Sequence, residues 1–129
     1  MSELKILVVD DDTESRNLLR EVLEANGYAA LAVKDGHAAR EEITREPNYR
    51  IVIADLRMPG ESGLDLLRDL RRQDSRTSIV LMSSFIGESQ RRVAQELGVN
   101  ALLEKPFRLS ELLQMVSEIA GKSSIGVSG

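Results

Sequence analysis

Five short apolar runs punctuate the chain, at Leu4–Val9, Tyr28–Val33, Ile51–Ala54, Ile79–Met82 and Ala101–Leu103. Several are nearly continuous in Val, Ile and Leu rather than alternating with polar residues, as in parallel strands covered on both faces. The segments between them repeat at helical spacing. Leu18, Leu19, Val22 and Leu23 predict a first helix that stops at Asn26 and Gly27. Ala39 and Ile43 mark a weaker helix over Gly36–Arg45, ahead of Pro47, and Leu64, Leu67 and Leu70 follow Gly63 in a third. Val93, Ala94 and Leu97 precede Gly98 in a fourth, and Leu109, Leu112, Leu113, Val116 and Ala120 form the stripe of the last.

Strand and helix alternating in this way predict an α/β fold, because each return to a parallel strand crosses over right-handedly with a helix on one face. Five strands and five helices suit a flavodoxin-like, doubly wound parallel sheet of order 2-1-3-4-5. One domain is expected over residues 1–120. Residues 121–129 are rich in Gly and Ser without periodicity and read as a flexible tail or the start of a linker.

Composition narrows the chemistry. With no cysteine and one histidine in 129 residues, disulfides, thiol catalysis, cysteine-bound zinc and multi-histidine metal sites are excluded. A metal here must be hard and oxygen-bound. The net charge of −4 and only two Tyr, two Phe and no Trp argue against direct nucleic-acid contact. The arginines at 68, 71, 72, 76, 91 and 92 are interleaved with Asp69, Asp74 and Glu96 and read as solvated helix faces. No apolar run approaches the ~18 residues of a membrane span, and Met1 leads into a charged segment, so a cytoplasmic location without membrane contact is expected.

In an open α/β sheet, ligands bind beyond the carboxyl ends of the strands. Those ends read Asp10, Asp11 and Asp12 after the first run, Asp55 after the third, Ser83 and Ser84 after the fourth, and Glu104, Lys105 and Pro106 after the fifth. Carboxylates gathered at one edge repel unless a cation neutralises them. Mg²⁺ suits one or two carboxylates with waters and phosphate oxygens. Lys105 and the Ser83 hydroxyl complete a site for a phosphoryl group carried on a carboxylate. Asp12 or Thr13 is the expected cap of the first helix.

This pattern resembles the receiver domain of two-component response regulators. The matching text is Ile6-Leu7-Val8-Val9-Asp10-Asp11-Asp12, Asp55-Leu56-Arg57-Met58-Pro59-Gly60 with Gly63-Leu64, Ser83-Ser84 and Lys105-Pro106-Phe107. The resemblance implies that Asp55 accepts a phosphoryl group from a sensor histidine kinase or a phosphotransfer protein, so that the chain is a signalling phosphoacceptor rather than an enzyme. It implies Mg²⁺ held by Asp11, Asp55 and the backbone carbonyl of Arg57, with Asp10 acting mainly through water. Lys105 would pair with Asp55 and then the phosphoryl oxygens, Ser83 would swing towards the phosphoryl group, and the Lys105–Pro106 peptide would be cis. Arg57 and Phe85, two residues after Asp55 and Ser83, would modulate hydrolysis of the phosphorylated form. The resemblance allows a homodimer on phosphorylation and leaves the output domain or effector unspecified. Leu102 departs from the pattern: three residues before the lysine the family commonly has Tyr or Phe, whose movement accompanies that of the hydroxyl residue.

Competing readings fare worse. The aspartyl-phosphate phosphatases of the haloacid dehalogenase type need Thr or Val where Glu14 stands, and leave Asp55 unexplained. Gly60-Glu61-Ser62-Gly63 lacks the second glycine of a serine-hydrolase elbow, with Leu64 in its place. A pseudo-receiver, binding without phosphorylation, would have lost Asp55, Lys105 or the acidic pair, and all are present. His37 reads as exposed, with no partner nearby, and Glu104 as a surface residue.

Overall fold

The computed structural model describes residues 4–73 and 76–123. Strand β1 (Lys5–Val9) leads to α1 (Thr13–Ala25), β2 (Ala29–Val33), α2 (Gly36–Arg45) and β3 (Tyr49–Asp55). A short hairpin of β4 (Arg57–Met58) and β5 (Glu61–Ser62) precedes α3 (Gly63–Arg72). Then come β6 (Ser78–Ser83), α4 (Glu88–Glu96), β7 (Ala101–Glu104) and α5 (Leu109–Ser123). The main sheet runs β2-β1-β3-β6-β7, parallel throughout. This is the expected 2-1-3-4-5 order of its five strands.

The continuous apolar runs follow from burial on both faces. Leu7, Val9, Val52, Ala54, Ile79 and Leu81 point into a layer with Ala39 of α2, Leu66, Leu67 and Leu70 of α3 and Ala94 of α4. Ile6, Val8, Ile51, Ile53, Val80 and Met82 point into the other, with Leu19 and Leu23 of α1 and Leu112, Val116 and Ile119 of α5. Successive residues of a strand alternate between layers, so neither can be polar.

Two helical stripes differ from the expected ones. In α1 only Leu19 and Leu23 are buried, while Leu18 is 49% exposed, because neighbouring positions on a helix lie about 100° apart and only one faces the sheet. In α5 the buried set is Leu112, Val116 and Ile119 at four- and three-residue spacing; Leu113 flanks it half-buried, and Ile119 takes the place expected for Ala120. Helix α5 also continues through Ser123, past the point where a tail was expected, and residues 124–129 lie outside the described residues. The hairpin was not expected, since two-residue strands are too short to show a period. Its turn uses Gly60 at φ +81°, a conformation that costs glycine little.

The starts of α1, α2 and α3 are capped by side chains. Asp12 accepts from the Ser15 amide, Asp35 from the Ala38 amide, and Ser62 and Asp65 form a reciprocal capping box on α3. Among the described residues no helix is long and apolar enough to cross a membrane.

Gly63 is where the fold tolerates least. Its amide donates to the Leu56 carbonyl at 2.8 Å, and α3 begins against the end of β3. A methyl group there would lie 2.7 Å from the Asp55 carbonyl oxygen and 2.8 Å from Leu81 Cδ2. Because one obstacle is backbone, Gly63→Ala should destabilise by about 1–3 kcal/mol, the usual range for overpacking. Urea unfolding of parent and variant would measure it; indistinguishable midpoints would mean that α3 shifts freely at this contact.

Candidate functional site

Adjacent strands β1, β3, β6 and β7 all end on one edge of the sheet, and each delivers a polar residue there. The ladder continues just past the strands: the Asp10 amide donates to the Val33 carbonyl, the Leu56 amide to Met82 and the Lys105 amide to Ser83, at 3.1, 2.7 and 2.7 Å. Asp10, Asp55 and Lys105 thus stand on rigid backbone. Asp10 is fully buried and Asp55 nearly so, while Asp11 is exposed.

The sequence places four of its expected site residues together. Lys105 Nζ donates to Asp55 Oδ2 at 3.0 Å and lies 3.8 Å from Asp10 Oδ2. Asp10, Asp11 and Asp55 can each offer one oxygen with all three within 4.8 Å of one another. The other oxygens of the buried pair are tied to backbone: Asp10 Oδ1 accepts from the Asp12 amide at 3.0 Å, and Asp55 Oδ1 from the Arg57 amide at 3.1 Å. Burial pulls the Lys105 ammonium towards neutrality, but the hydrogen bond to Asp55 and the fields of Asp55, Asp10 and Asp11 outweigh it and leave its pKa raised. Lys105 therefore stays charged. The Lys105–Pro106 peptide is cis, as the resemblance implied.

One oxygen remains unserved. Asp10 Oδ2 is buried with no hydrogen-bond partner, and three carboxylates face a single ammonium. An all-oxygen donor set with surplus negative charge and an orphaned buried oxygen fits a hard divalent cation such as Mg²⁺.

The remaining expected residues lie on β4, at the end of β6 and in the loop after it, and on β7. Ser83 is buried, one residue past the Met82 that pairs with Asp55, and its hydroxyl donates to the Phe85 carbonyl at 2.9 Å and accepts from the Phe85 amide at 3.2 Å. It is turned onto its own loop, not onto Asp55. The Arg57 side chain is exposed, and Phe85 is 59% exposed. Leu102 is half-buried against the layer of α2, α3 and α4. Glu104 is exposed, as expected. His37 is exposed too, but it does have a neighbour, Glu41, at 3.4 Å.

One contributor was missed. Arg16, in the second turn of α1, donates to the carbonyls of Asp10 and Asp11 at 3.2 and 3.3 Å and braces the loop that carries both acids. A cation near the positive end of a helix runs against the macrodipole, and that anomaly was the available signal.

Comparison with known proteins agrees with this geometry. The response regulator receiver domain family matches residues 6–117. The transcriptional regulatory protein CpxR of Escherichia coli (strain K12) is 34% identical over 119 residues, 92% of this chain and 50% of CpxR. The chain thus spans about half the length of the curated relatives it matches. A response regulator receiver protein from Pseudomonas putida has a similar structure, with TM-score 0.87 and 32% identity, covering 92% of this chain and 98% of that one. The CheY-like receiver domain from Methanospirillum hungatei JF-1 has TM-score 0.89 at 21% identity, covering 95% of this chain and 98% of its own, a likeness of fold alone. With the acidic edge, the lysine and the family match in agreement, the chain belongs to the response regulator receiver domains, the signalling domains of two-component systems.

Proposed function

We propose that Asp55 is the phosphoacceptor of this receiver domain. The observation that carries the reading is its carboxylate, held by Lys105 on one oxygen and within 4.8 Å of oxygens from Asp10 and Asp11. The donor would be the phosphohistidine of a sensor kinase or phosphotransfer protein. An Asp55 oxygen attacks phosphorus in line, the phosphorus–nitrogen bond breaks, and the departing imidazole nitrogen takes its proton from solvent. The product is an acyl phosphate on Asp55, and the protein acts as a signalling partner rather than as an enzyme in its own right.

The chain's own groups supply orientation and charge. Lys105 is fixed on Asp55 in the resting state and is placed to follow the transferred oxygens. Asp10, Asp11, Asp55 and the Arg57 carbonyl would hold Mg²⁺, which when bound supplies neutralisation of charge on the phosphoryl oxygens. Ser83 would exchange its bonds to Phe85 for one to the phosphoryl group. That exchange would remodel the β6–α4 loop and so control an output, which by analogy with the transcriptional relatives is a further domain or an effector protein. Leu102 removes the aromatic that commonly moves with the hydroxyl residue, so the loop itself would carry the change.

Incubation with a small acyl phosphate and Mg²⁺ should add one phosphoryl group to the parent protein. Asp55→Asn keeps the size but removes the nucleophilic charge, and intact mass should show no adduct. A stable phosphoprotein from that variant would overturn the assignment.

Persistence of the signal should depend on Arg57 and Phe85. A long cation and an apolar ring on the two loops flanking Asp55 can restrict water's approach to phosphorus. Slow self-dephosphorylation is expected, and Phe85→Ala should hasten it several-fold, a barrier change on the order of 1 kcal/mol. Decay after donor removal, equal in the parent, Arg57→Ala and Phe85→Ala, would show both side chains to be bystanders.

A further inference from the structure

Glu61 opens β5 and turns its carboxylate onto the first turn of α2. Its Oε2 accepts from Arg40 Nη1 at 2.7 Å. Its Oε1 is buried without a hydrogen-bond partner and rests directly against Gly36, the first residue of α2. Arg40 uses its other edge on α3, where Nε donates to Asp69 Oδ2 at 2.9 Å and Nη2 lies 2.8 Å from the same oxygen. One guanidinium therefore ties α2, the hairpin and α3 together.

An ordinary surface ion pair stabilises little. This one differs in two respects. The Arg40 and Glu61 side chains are only 33% and 21% exposed, so solvent screens them incompletely. A carboxylate oxygen left buried without a donor is unfavourable; here the positive end of α2 offsets part of the cost. What the contact holds is the hairpin. Glu61 pairs with Met58 and Ser62 with Arg57, and the Arg57 amide donates to Asp55 Oδ1. A displacement of Glu61 would reach Asp55 through one rung of a two-residue ladder.

We infer that Arg40 and Glu61 are positioning residues for the Asp55 site, holding the hairpin so that Arg57 stays in register beside Asp55 and thereby setting the affinity for divalent cation. The inference rests on the reading of Asp55 as phosphoacceptor with Arg57 as a backbone ligand. Gly36 belongs to the same device, because any side chain there would meet the Glu61 carboxylate.

The test is a Mg²⁺ titration of the full chain followed by amide chemical shifts, together with phosphorylation rates from a small acyl phosphate. Arg40→Met should raise the Mg²⁺ concentration for half-saturation by roughly tenfold, the lower end for groups that support metal ligands. At saturating Mg²⁺ its phosphorylation rate should return to within about twofold of the parent, a split that general destabilisation would not produce. Arg40→Lys should recover part of the affinity. Gly36→Ala should weaken binding as Arg40→Met does, since its methyl expels the carboxylate without changing any charge. In a Glu61→Ala background, itself weakened, the same methyl meets no carboxylate and should leave affinity at the level of Glu61→Ala alone. If Arg40→Met does not fold, the Gly36→Ala comparison in the two backgrounds decides alone. Equal Mg²⁺ affinity in the parent and Gly36→Ala would overturn the inference while leaving the phosphoacceptor reading intact. A parent that neither binds Mg²⁺ nor gains a phosphoryl group would overturn that reading, and the inference with it.

Discussion

Buried at the end of the central strands, Asp10 holds a negative charge that one backbone amide and a lysine 3.8 Å away satisfy only in part. Asp55 stands beside it, and Asp11 adds a third carboxylate from the exposed side. Charges of one sign so placed destabilise a fold unless something opposes them. Lys105 opposes them from within, and a divalent cation would complete the balance from without. On the phosphoacceptor reading, the arrangement gives up some stability to keep a site open for positive charge, and later for a phosphoryl group.

The sheet makes this tolerable. Both faces are sealed by apolar layers, so the backbone beneath the acids cannot relax away from them. Gly63 lets α3 start against the Asp55 carbonyl, Arg16 clamps the carbonyls of Asp10 and Asp11, and the Arg57 amide fixes one oxygen of Asp55. Each of these groups helps to fix the orientation of an acid. On the phosphoacceptor reading, precision of this kind would let a weak nucleophile react in line.

The fold was legible in the chain because strands covered on both faces leave uninterrupted apolar runs, and the polar residues ending those runs fall on one edge by topology alone. That is why Asp10, Asp55 and Lys105 could be read from their positions. Leu18 misled because helical spacing identifies a stripe's width but not its centre. The Arg40–Glu61–Asp69 contacts were not legible: they join α2, the hairpin and α3 across separations of 21 and 29 residues, and nothing periodic links them. The resting bonds of Ser83 were equally hidden, since a hydroxyl's partner depends on the local backbone path and not on residue type.

Those bonds bear on how a small charge event could be transmitted. Ser83 both donates to and accepts from Phe85, two neutral hydrogen bonds whose net worth is about 1–3 kcal/mol together. A single bond to a charged phosphoryl oxygen is worth about 1.5–3 kcal/mol. The two states would lie close in free energy, as a two-state element must if a modest bias is to shift its population. Ser83 is buried at one end of the loop and Ile86 is buried near the other, leaving the exposed Phe85 ring between two anchors. Leu102 stands where the family resemblance led an aromatic to be expected, whereas Phe85 is a large exposed apolar group whose backbone is bonded directly to the Ser83 hydroxyl. On the phosphoacceptor reading, the state of Asp55 would be displayed at Phe85.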